Sequence, residues 1–326
     1  MPKLAFSDYP DHVEQLVNAA LHAADPTTAV STHLQRSGST LILGQHSFNL
    51  DDASRRVYIV SVGKAALPMA QAAVKLLGEQ LTSAIIIAKK GGGDWRLKIG
   101  QQLFVSESST NRVFEGGQPV SDEDSVNATA AVAELLSDTT TRYLVLCLIS
   151  GGASALLTQP LVSLTDWQAL IGALLASGCT INELNDVRTQ LDRIKGGGLA
   201  RLAAPATCVS RILSVVVGNP LAAIGSGPTV LAEKNPAIAH AVLDRYGVNN
   251  TLPAPVYERI RNALANQPAE AAIDNGRLVH HIVGDVRQAA MAALTKAAQL
   301  GIIGQILPAR FAGDARQERR VAAAKA

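Results

Sequence analysis

Short runs of glycine, serine and basic residues in this chain have the composition of anion-binding sites. One of them, Ser150-Gly151-Gly152-Ala153-Ser154, directly follows the apolar run from Leu144 to Ile149. The apolar run predicts a strand buried on both faces, and a helix is predicted to begin at Ala153. A small-residue loop between such a strand and a helix offers backbone N–H groups to phosphate or carboxylate. A tight turn without a ligand has the same composition, so this loop alone leaves both interpretations open.

Lys64 is the first of three basic side chains that could neutralise a bound anion. It follows the predicted strand Val57–Val62 and Gly63, at the start of an Ala-rich helix. A cation at a helix N-terminus opposes the helix dipole, at a cost of a few tenths of a kcal/mol. We therefore favour binding of a phosphate or carboxylate by Lys64 over the alternative of a solvated surface lysine.

The other two basic residues belong to a predicted helix, residues 182–194, and to the turn after it. Arg188 follows Asn185 by three positions and shares its helix face, and a guanidinium suits carboxylate or phosphate. Lys195 directly precedes the glycine triplet Gly196–Gly198. An amphipathic surface helix is the alternative interpretation, but it does not explain the triplet after the lysine.

Two further motifs bear on the type of site. The turn Ile224–Thr229 contains Ser226 and Gly227, but no glycine-rich turn here is a Walker A loop or a Gly-x-Gly-x-x-Gly motif. His280 and His281 are adjacent in a predicted strand, so they point to opposite faces and cannot chelate one metal ion. We interpret the histidine pair as structural.

Strands and helices alternate along the chain. Besides the elements already named, strands are predicted at 84–88, 103–105, 212–217, 280–283 and 302–307, and helices at 11–24, 121–136, 164–177, 236–246, 254–266 and 287–300. The polar stretch 106–120 is interpreted as a loop. The alternation predicts an α/β fold with a doubly wound, mainly parallel, Rossmann-like sheet. We place this domain at residues 1–235 and part of a second α/β domain at 236–326. Ligands of such sheets collect outside the carboxyl ends of the strands.

The composition narrows the function classes. A net charge of +2 and an aromatic content of 4% argue against a nucleic-acid partner. Three cysteines without a Cys-x-x-Cys pair argue against disulfides or structural zinc and favour the cytoplasm. The N-terminus has no signal-peptide core, and no apolar run reaches the roughly 18–20 residues that span a membrane. We expect a cytoplasmic protein without a membrane partner.

Five motifs occur together in one order. They are Val62-Gly63-Lys64-Ala65-Ala66, Leu148–Leu157, Asn182–Arg188, Ile194–Ala200 and Ser226-Gly227-Pro228-Thr229. In this combination the chain resembles the glycerate 2-kinase family that carries a C-terminal MOFRL domain, whose members are also labelled hydroxypyruvate reductases. The resemblance covers about residues 11–315.

The resemblance implies ATP-dependent phosphorylation of D-glycerate to 2-phosphoglycerate with Mg²⁺, in a cleft between two domains. It implies catalytic roles for Lys64 and Arg188. The substrate- or phosphate-binding residues that it implies are Ser150, Gly151, Gly152, Ser154, Asn185, Lys195, Gly196, Ser226 and Gly227; no metal ligand is assigned. Such a set agrees with phosphoryl transfer, which depends on positioning and on neutralising charge. A homodimer is a further expectation.

The chain departs from the family pattern at three places. The usual Ser-Asp-Val after a late strand reads Ser214-Val215-Val216 here, and a valine can neither accept a proton nor bind Mg²⁺. The usual Gly-His-Pro reads Gly117-Gln118-Pro119. The chain ends at Ala326, just after the segment that leads into the MOFRL domain, so we expect that domain to be truncated.

Two alternatives to an active kinase stay open. A hydroxypyruvate reductase needs a nicotinamide site, but no Gly-x-Gly-x-x-Gly with an acid about 20 residues further on is present. A non-catalytic protein that binds glycerate or phosphate is the other alternative, and Val215 and the short C-terminus support it.

Overall fold

The structure, a computed structural model, describes residues 9–52, 54–91 and 111–306. It begins with helices α1 (Tyr9–Ala23) and α2 (Pro26–His33) and a small antiparallel sheet of β1 (Gln35–Ser37), β2 (Thr40–Leu43) and β3 (His46–Asn49). Asp25 separates the two helices and caps α2, since its Oδ1 accepts a hydrogen bond from the Thr28 N–H at 2.7 Å.

A six-stranded parallel sheet forms the centre of the molecule. Its strands are β4 (Val57–Val62), β5 (Ser83–Lys89), β6 (Arg112–Gly116), β7 (Leu144–Ile149), β8 (Thr207–Leu213) and β9 (Leu278–Gly284). They lie in the order β6-β5-β4-β7-β8-β9, and every neighbouring pair is parallel. This is the order of a doubly wound nucleotide-binding sheet, in which the chain reverses direction across the sheet between β4 and β7. The predicted α/β fold with a doubly wound parallel sheet is confirmed.

Helices pack on both faces of this sheet and, in part, against one another. After α2 the helices are α3 (Ala66–Leu77), α4 (Glu123–Leu135), α5 (Ala153–Leu156), α6 (Leu164–Ala176), α7 (Ile181–Leu191), α8 (Gly198–Ala203), α9 (Pro236–Arg245), α10 (Val248–Thr251), α11 (Ala254–Ala265) and α12 (Val286–Gln299). All residues of β4 and β7 are buried, because alternate side chains pack under α2 and α3 on one face and under α4 and α8 on the other. This two-sided burial explains their uninterrupted apolar sequences.

A second core lies among helices alone. Helices α6, α7, α9, α10 and α11 pack around Trp167, Leu184 and Leu243, all of which are buried. Helix α7 begins at a capping box in which Thr180 and Glu183 exchange side-chain and backbone hydrogen bonds. The apolar face of α7 packs in this core, and its other face carries Asn185 and Arg188.

Three predicted segments differ from the structure. The strand predicted at 212–217 is wrong, since β8 ends at Leu213 while Val215 and Val217 are 65% and 51% exposed. The apolar run favours a strand, but only residues that fit between two helical layers join the sheet. Strand β6 was missed because an edge strand of this sheet has a mostly half-buried, polar sequence. Residues 302–306 form no strand, and the strand predicted at 103–105 lies outside the described residues.

The later part of the chain returns to the central sheet. Strand β9 follows the boundary predicted at residue 235, yet it pairs with β8 in the same sheet. The division into two domains at that residue stays a prediction. In the described part of the chain, no helix has both the length and the apolar composition to span a membrane.

Candidate functional site

The reversal of the strand order brings the loop after β4 against the loop after β7. The backbone N–H of Lys64 donates to the Gly151 carbonyl oxygen at 2.8 Å, and the Ala65 N–H donates to Ser150 Oγ at 3.0 Å. Gly63 allows this approach, because its φ is +124° and a Cβ there would lie 2.2 Å from Ser150 Oγ. The two loops are therefore locked together at the carboxyl edge of the sheet, where ligands of this fold collect.

Lys64 and the glycines of the second loop form an open, polar surface at this edge. The Lys64 side chain is exposed and has no ion pair within the described residues. Carbon atoms of Lys64 and Gln118 each lie 3.5 Å from the position that a Cβ on Gly152 would take. A Cβ on Gly151 would lie 3.1 Å from Val215 Cγ2, so the exposed valine stands directly beside the loop.

A chain of hydrogen bonds links this surface to helix α7. Ser154 Oγ and Ser226 Oγ lie 3.0 Å apart, and Ser226 Oγ donates to Asn185 Oδ1 at 2.9 Å. Arg188 Nη1 donates to the same Asn185 oxygen at 3.4 Å, as expected for residues that share a helix face. The amide of Asn185 is fixed further by its Nδ2 group, which donates to the Ala223 carbonyl at 3.3 Å. Four of the residues that the sequence indicated thus lie in one continuous network.

The backbone around Ser226 is held in an uncommon conformation. Ser226 has a φ of +61°, which is unfavourable for a residue with a side chain. The Gly196 N–H donates to the Ser226 carbonyl at 3.1 Å, and the Gly197 N–H donates to that of Gly227 at 2.8 Å. This short ladder holds the turn against the glycine triplet. Such strain is typical of functional sites, where the surrounding structure compensates for it.

Two cations and one carboxylate are buried beneath these loops. Burial lowers the pKa of Arg188 to about 10, with the charge of Asp192 acting in the opposite direction. Burial also lowers the pKa of Lys195 to about 8; Asp192 opposes this change and Arg188 adds to it. The fully buried Lys195 Nζ donates to the carbonyl of Leu157. The excess of positive charge makes this region favourable for a nearby anion.

A cavity of about 410 Å³ lies next to this network and is lined by Asn185, Gly196, Ser226 and Gly227. Asp186 also lines it, and burial followed by the charge of Glu183 raises the pKa of the Asp186 carboxyl. Lys64 and the 150–152 loop lie outside its lining, at the reversal of the strand order. The predicted residues therefore divide into two groups, joined by the contact between Ser154 and Ser226.

Sequence reasoning missed three residues of this region. Asp192 is fully buried, and its carboxylate accepts hydrogen bonds from Thr158 Oγ1 and from the Ile194 N–H. Gln118 and Asp186 face the two halves of the site, as described above. In the sequence, Asp192 lies between Arg188 and Lys195, but this position does not indicate that its side chain is buried.

Within the described ranges, no group of three or more His, Cys, Asp or Glu side chains lies together so as to hold a metal ion. The residues present do not fit a metal centre held by the protein alone.

Comparisons with known proteins place the chain among relatives of known name. Residues 12–261 match the family model described as "Domain of unknown function (DUF4147)". The chain is 36% identical over 315 residues to a glycerate kinase of Danio rerio, covering 93% of this chain and 62% of that protein. It is 31% identical over 308 residues to a D-glycerate 2-kinase of Thermotoga maritima, covering 94% and 66%.

Two solved structures are also similar to the chain. The crystal structure of glycerate kinase from Thermotoga maritima matches with a TM-score of 0.69 at 29% identity, covering 90% of this chain and 63% of that one. A crystal structure of a protein from Pyrococcus horikoshii matches with a TM-score of 0.72 at 29% identity, covering 92% and 65%. The chain thus spans less than two thirds of the length of these relatives.

Proposed function

The chain belongs to the DUF4147 family, the family of the glycerate kinases, and on this premise we propose that it phosphorylates D-glycerate with ATP to give 2-phosphoglycerate. The observation that carries the proposal is the pair of loops locked together where the strand order reverses. Phosphoryl transfer needs little covalent chemistry from a protein and depends on positioning and charge neutralisation. The Lys64 loop and the 150–152 loop supply both at one edge of the sheet.

The first group of residues fits the transferring phosphate. The N–H groups of Gly151 and Gly152 donate no hydrogen bond within the described part of the chain, so they are available to phosphate oxygens. The side chain of Lys64 is exposed, its Cγ lies close to Gly152, and its ammonium would neutralise charge that develops during transfer. Mg²⁺ is expected to arrive with the nucleotide, since this ion is commonly held by substrate phosphates and one or two carboxylates.

The second group fits the hydroxy acid. The cavity beside Asn185 and Ser226 offers hydroxyl and amide groups to the glycerate hydroxyls. The positive charge of Arg188 lies beneath it and favours the glycerate carboxylate. Because Ser154 contacts Ser226 at 3.0 Å, a substrate in this cavity would be held next to the phosphate loop.

An assay of ADP release with ATP, Mg²⁺ and D-glycerate tests the proposal. We expect Lys64→Ala to lower kcat at least tenfold. Lys75→Ala is the matched control, because Lys75 is an exposed lysine of the same helix region, at the far end of α3. Phosphorus NMR of the product distinguishes 2- from 3-phosphoglycerate. Unchanged activity of the Lys64 variant would remove that residue from the mechanism.

A non-catalytic binding protein is the second candidate, and the position of Val215 favours it. Val215 stands beside Gly151, where the family motif has an aspartate, and it leaves the phosphate loop without that carboxylate. Calorimetric titration with D-glycerate separates the candidates: binding without ADP release supports the second. Loss of NADH absorbance with hydroxypyruvate would instead indicate a reductase, for which the chain offers no nicotinamide motif.

We also propose a cytoplasmic homodimer. Val13, Val17 and Leu21 are spaced four apart on α1 and are 49–65% exposed, so they form an apolar stripe suited to a second copy. Light scattering should give twice the monomer mass for the wild type and the monomer mass for Val17→Asp. The free cysteines support the cytoplasm, which cell fractionation tests.

A further inference from the structure

Arg211 is a buried cation without a carboxylate partner among the described residues. It lies in the middle of β8, is 1% exposed, and forms no ion pair within the described residues. Its side chain points to the same face as Val209, which packs under α2 and α3, whereas Ser210 points to the opposite face and bonds to Thr229. Arg211 therefore lies outside the network that contains the candidate active site.

Two nitrogen atoms of the guanidinium have no hydrogen-bond partner in the part of the chain that the structure describes. They are Nε and Nη2, both buried. These two nitrogens form one edge of the guanidinium, from which two parallel N–H groups bind the two oxygens of a carboxylate or phosphate. The edge of Arg211 best suited to an oxyanion is thus the edge that the protein leaves unpaired.

An unpaired cation in this position is unfavourable. Burial lowers the pKa of Arg211 to about 10, and no neighbouring charge opposes it. Leaving a buried ionic group without a partner costs several kcal/mol, and an apolar side chain of the same volume would avoid that cost. A buried arginine at this position is explained if an anion that is not part of the described residues binds to its unpaired edge.

A histidine beside Arg211 contacts a second histidine. His281 is its register partner on β9, and the rings of His281 and His33 of α2 have centroids 4.9 Å apart. His33 Nδ1 bonds to the Ala29 carbonyl at 2.9 Å, which leaves its other ring nitrogen for a ligand. His281 is exposed, so a rearrangement of its side chain would open a path from solvent. The three residues together form a cluster of donors on the α2 face of the sheet.

We propose that Arg211, His33 and His281 form a binding site for a small oxyanion, separate from the candidate active site. The ligand class is a phosphate or a carboxylate, free or carried by a small molecule, bound through two parallel N–H groups of the guanidinium and through the imidazoles. From the sequence, the histidine pair was interpreted as structural. In the proposed site, His281 instead contributes to binding of the anion.

Thermal unfolding tests the site without reference to catalysis. Melting temperatures are measured with inorganic phosphate, sulfate, D-glycerate and 2-phosphoglycerate, each against sodium chloride of equal ionic strength. We expect at least one of the oxyanions to raise the melting temperature of the wild type by a few degrees more than that of Arg211→Met, because ligands of the candidate active site stabilise both proteins alike. Without oxyanion, Arg211→Met should melt higher than the wild type. Arg261→Met, on the exposed side of α11, is the control and should respond as the wild type does.

Other outcomes overturn the proposal. An equal response of Arg211→Met would place the anion elsewhere, and no response of the wild type to any of the four oxyanions would mean that the site does not exist. Lys64→Ala should keep the part of the response that Arg211→Met lacks; loss of that part in Lys64→Ala would assign the anion to the candidate active site. If Arg211→Met fails to fold, the imidazole NMR resonances of the wild type are compared with and without the anion. The anion should shift the resonances of His33 and His281, and unchanged resonances would overturn the proposal.

Discussion

Replacing Lys195 with methionine should change how the stability of the protein depends on pH. The Lys195 ammonium is fully buried, and burial lowers its pKa from 10.5 to about 8. Below pH 8 the folded protein must hold this buried charge, whereas the unfolded chain keeps the same charge in water. Methionine has a similar length and no charge, so the variant lacks this pH-dependent contribution.

The sign and size of the effect follow from proton linkage. Between pH 8 and pH 10.5 the unfolded chain binds more protons at this side chain than the folded protein does, so stability rises with pH. The difference between 10.5 and about 8, at about 1.36 kcal/mol per pKa unit, corresponds to on the order of 3 kcal/mol. The unfavourable contribution is fully present below pH 8 and is gone above pH 10.5.

Urea unfolding of the wild type and of Lys195→Met at several pH values between 7 and 11 measures the effect. The free energy of unfolding of the wild type, minus that of the variant, should rise by about 3 kcal/mol over this range. Groups that titrate alike in both proteins contribute equally to the two free energies and so drop out of the difference. Lys75→Met, at an exposed position, should show a flat difference. A flat difference for Lys195→Met as well would refute the reasoning, because it would mean that the ammonium is solvated.

Substitutions at three other positions test separate contacts. Gly63→Ala should lower the melting temperature and the activity, because its methyl group would overlap the neighbouring loop; Gly172→Ala, which has nothing within 4 Å, should do neither. Val215→Asp should raise ADP release at least tenfold if a carboxylate beside the loop is what turnover lacks, and an unchanged rate would contradict this. Arg259→Met should lower the urea midpoint at pH 7, because it removes both hydrogen bonds from the guanidinium to the buried Asp166 carboxylate. That loss should shrink as the pH falls below the ordinary pKa of an aspartate, because the ion pair lowers the pKa of Asp166 and the unfolded chain takes up its proton first.

The sequence determined the central strands and the position of the 150–152 loop. Strands β4 and β7 need apolar residues at every position because both of their faces are covered, and that pattern is visible in the chain itself. Because ligands of such sheets collect outside the carboxyl ends of the strands, the loops at Lys64 and Ser150 were candidates for the site, and the structure brings them into contact. The helical spacing of Asn185 and Arg188 likewise fixed their shared face.

The tertiary structure alone decided which of the polar residues are buried and what they contact. Lys195 was indicated as an anion ligand, yet its ammonium is enclosed and bonded to Leu157. Neither Asp192 beside it nor the unpaired edge of Arg211 could be inferred from neighbours in the sequence. The physical reason is that burial and charge pairing depend on contacts between segments far apart in the chain, such as α7 with the turn at Ser226. Local sequence patterns specify elements and their faces, whereas packing between elements sets the environment of each side chain.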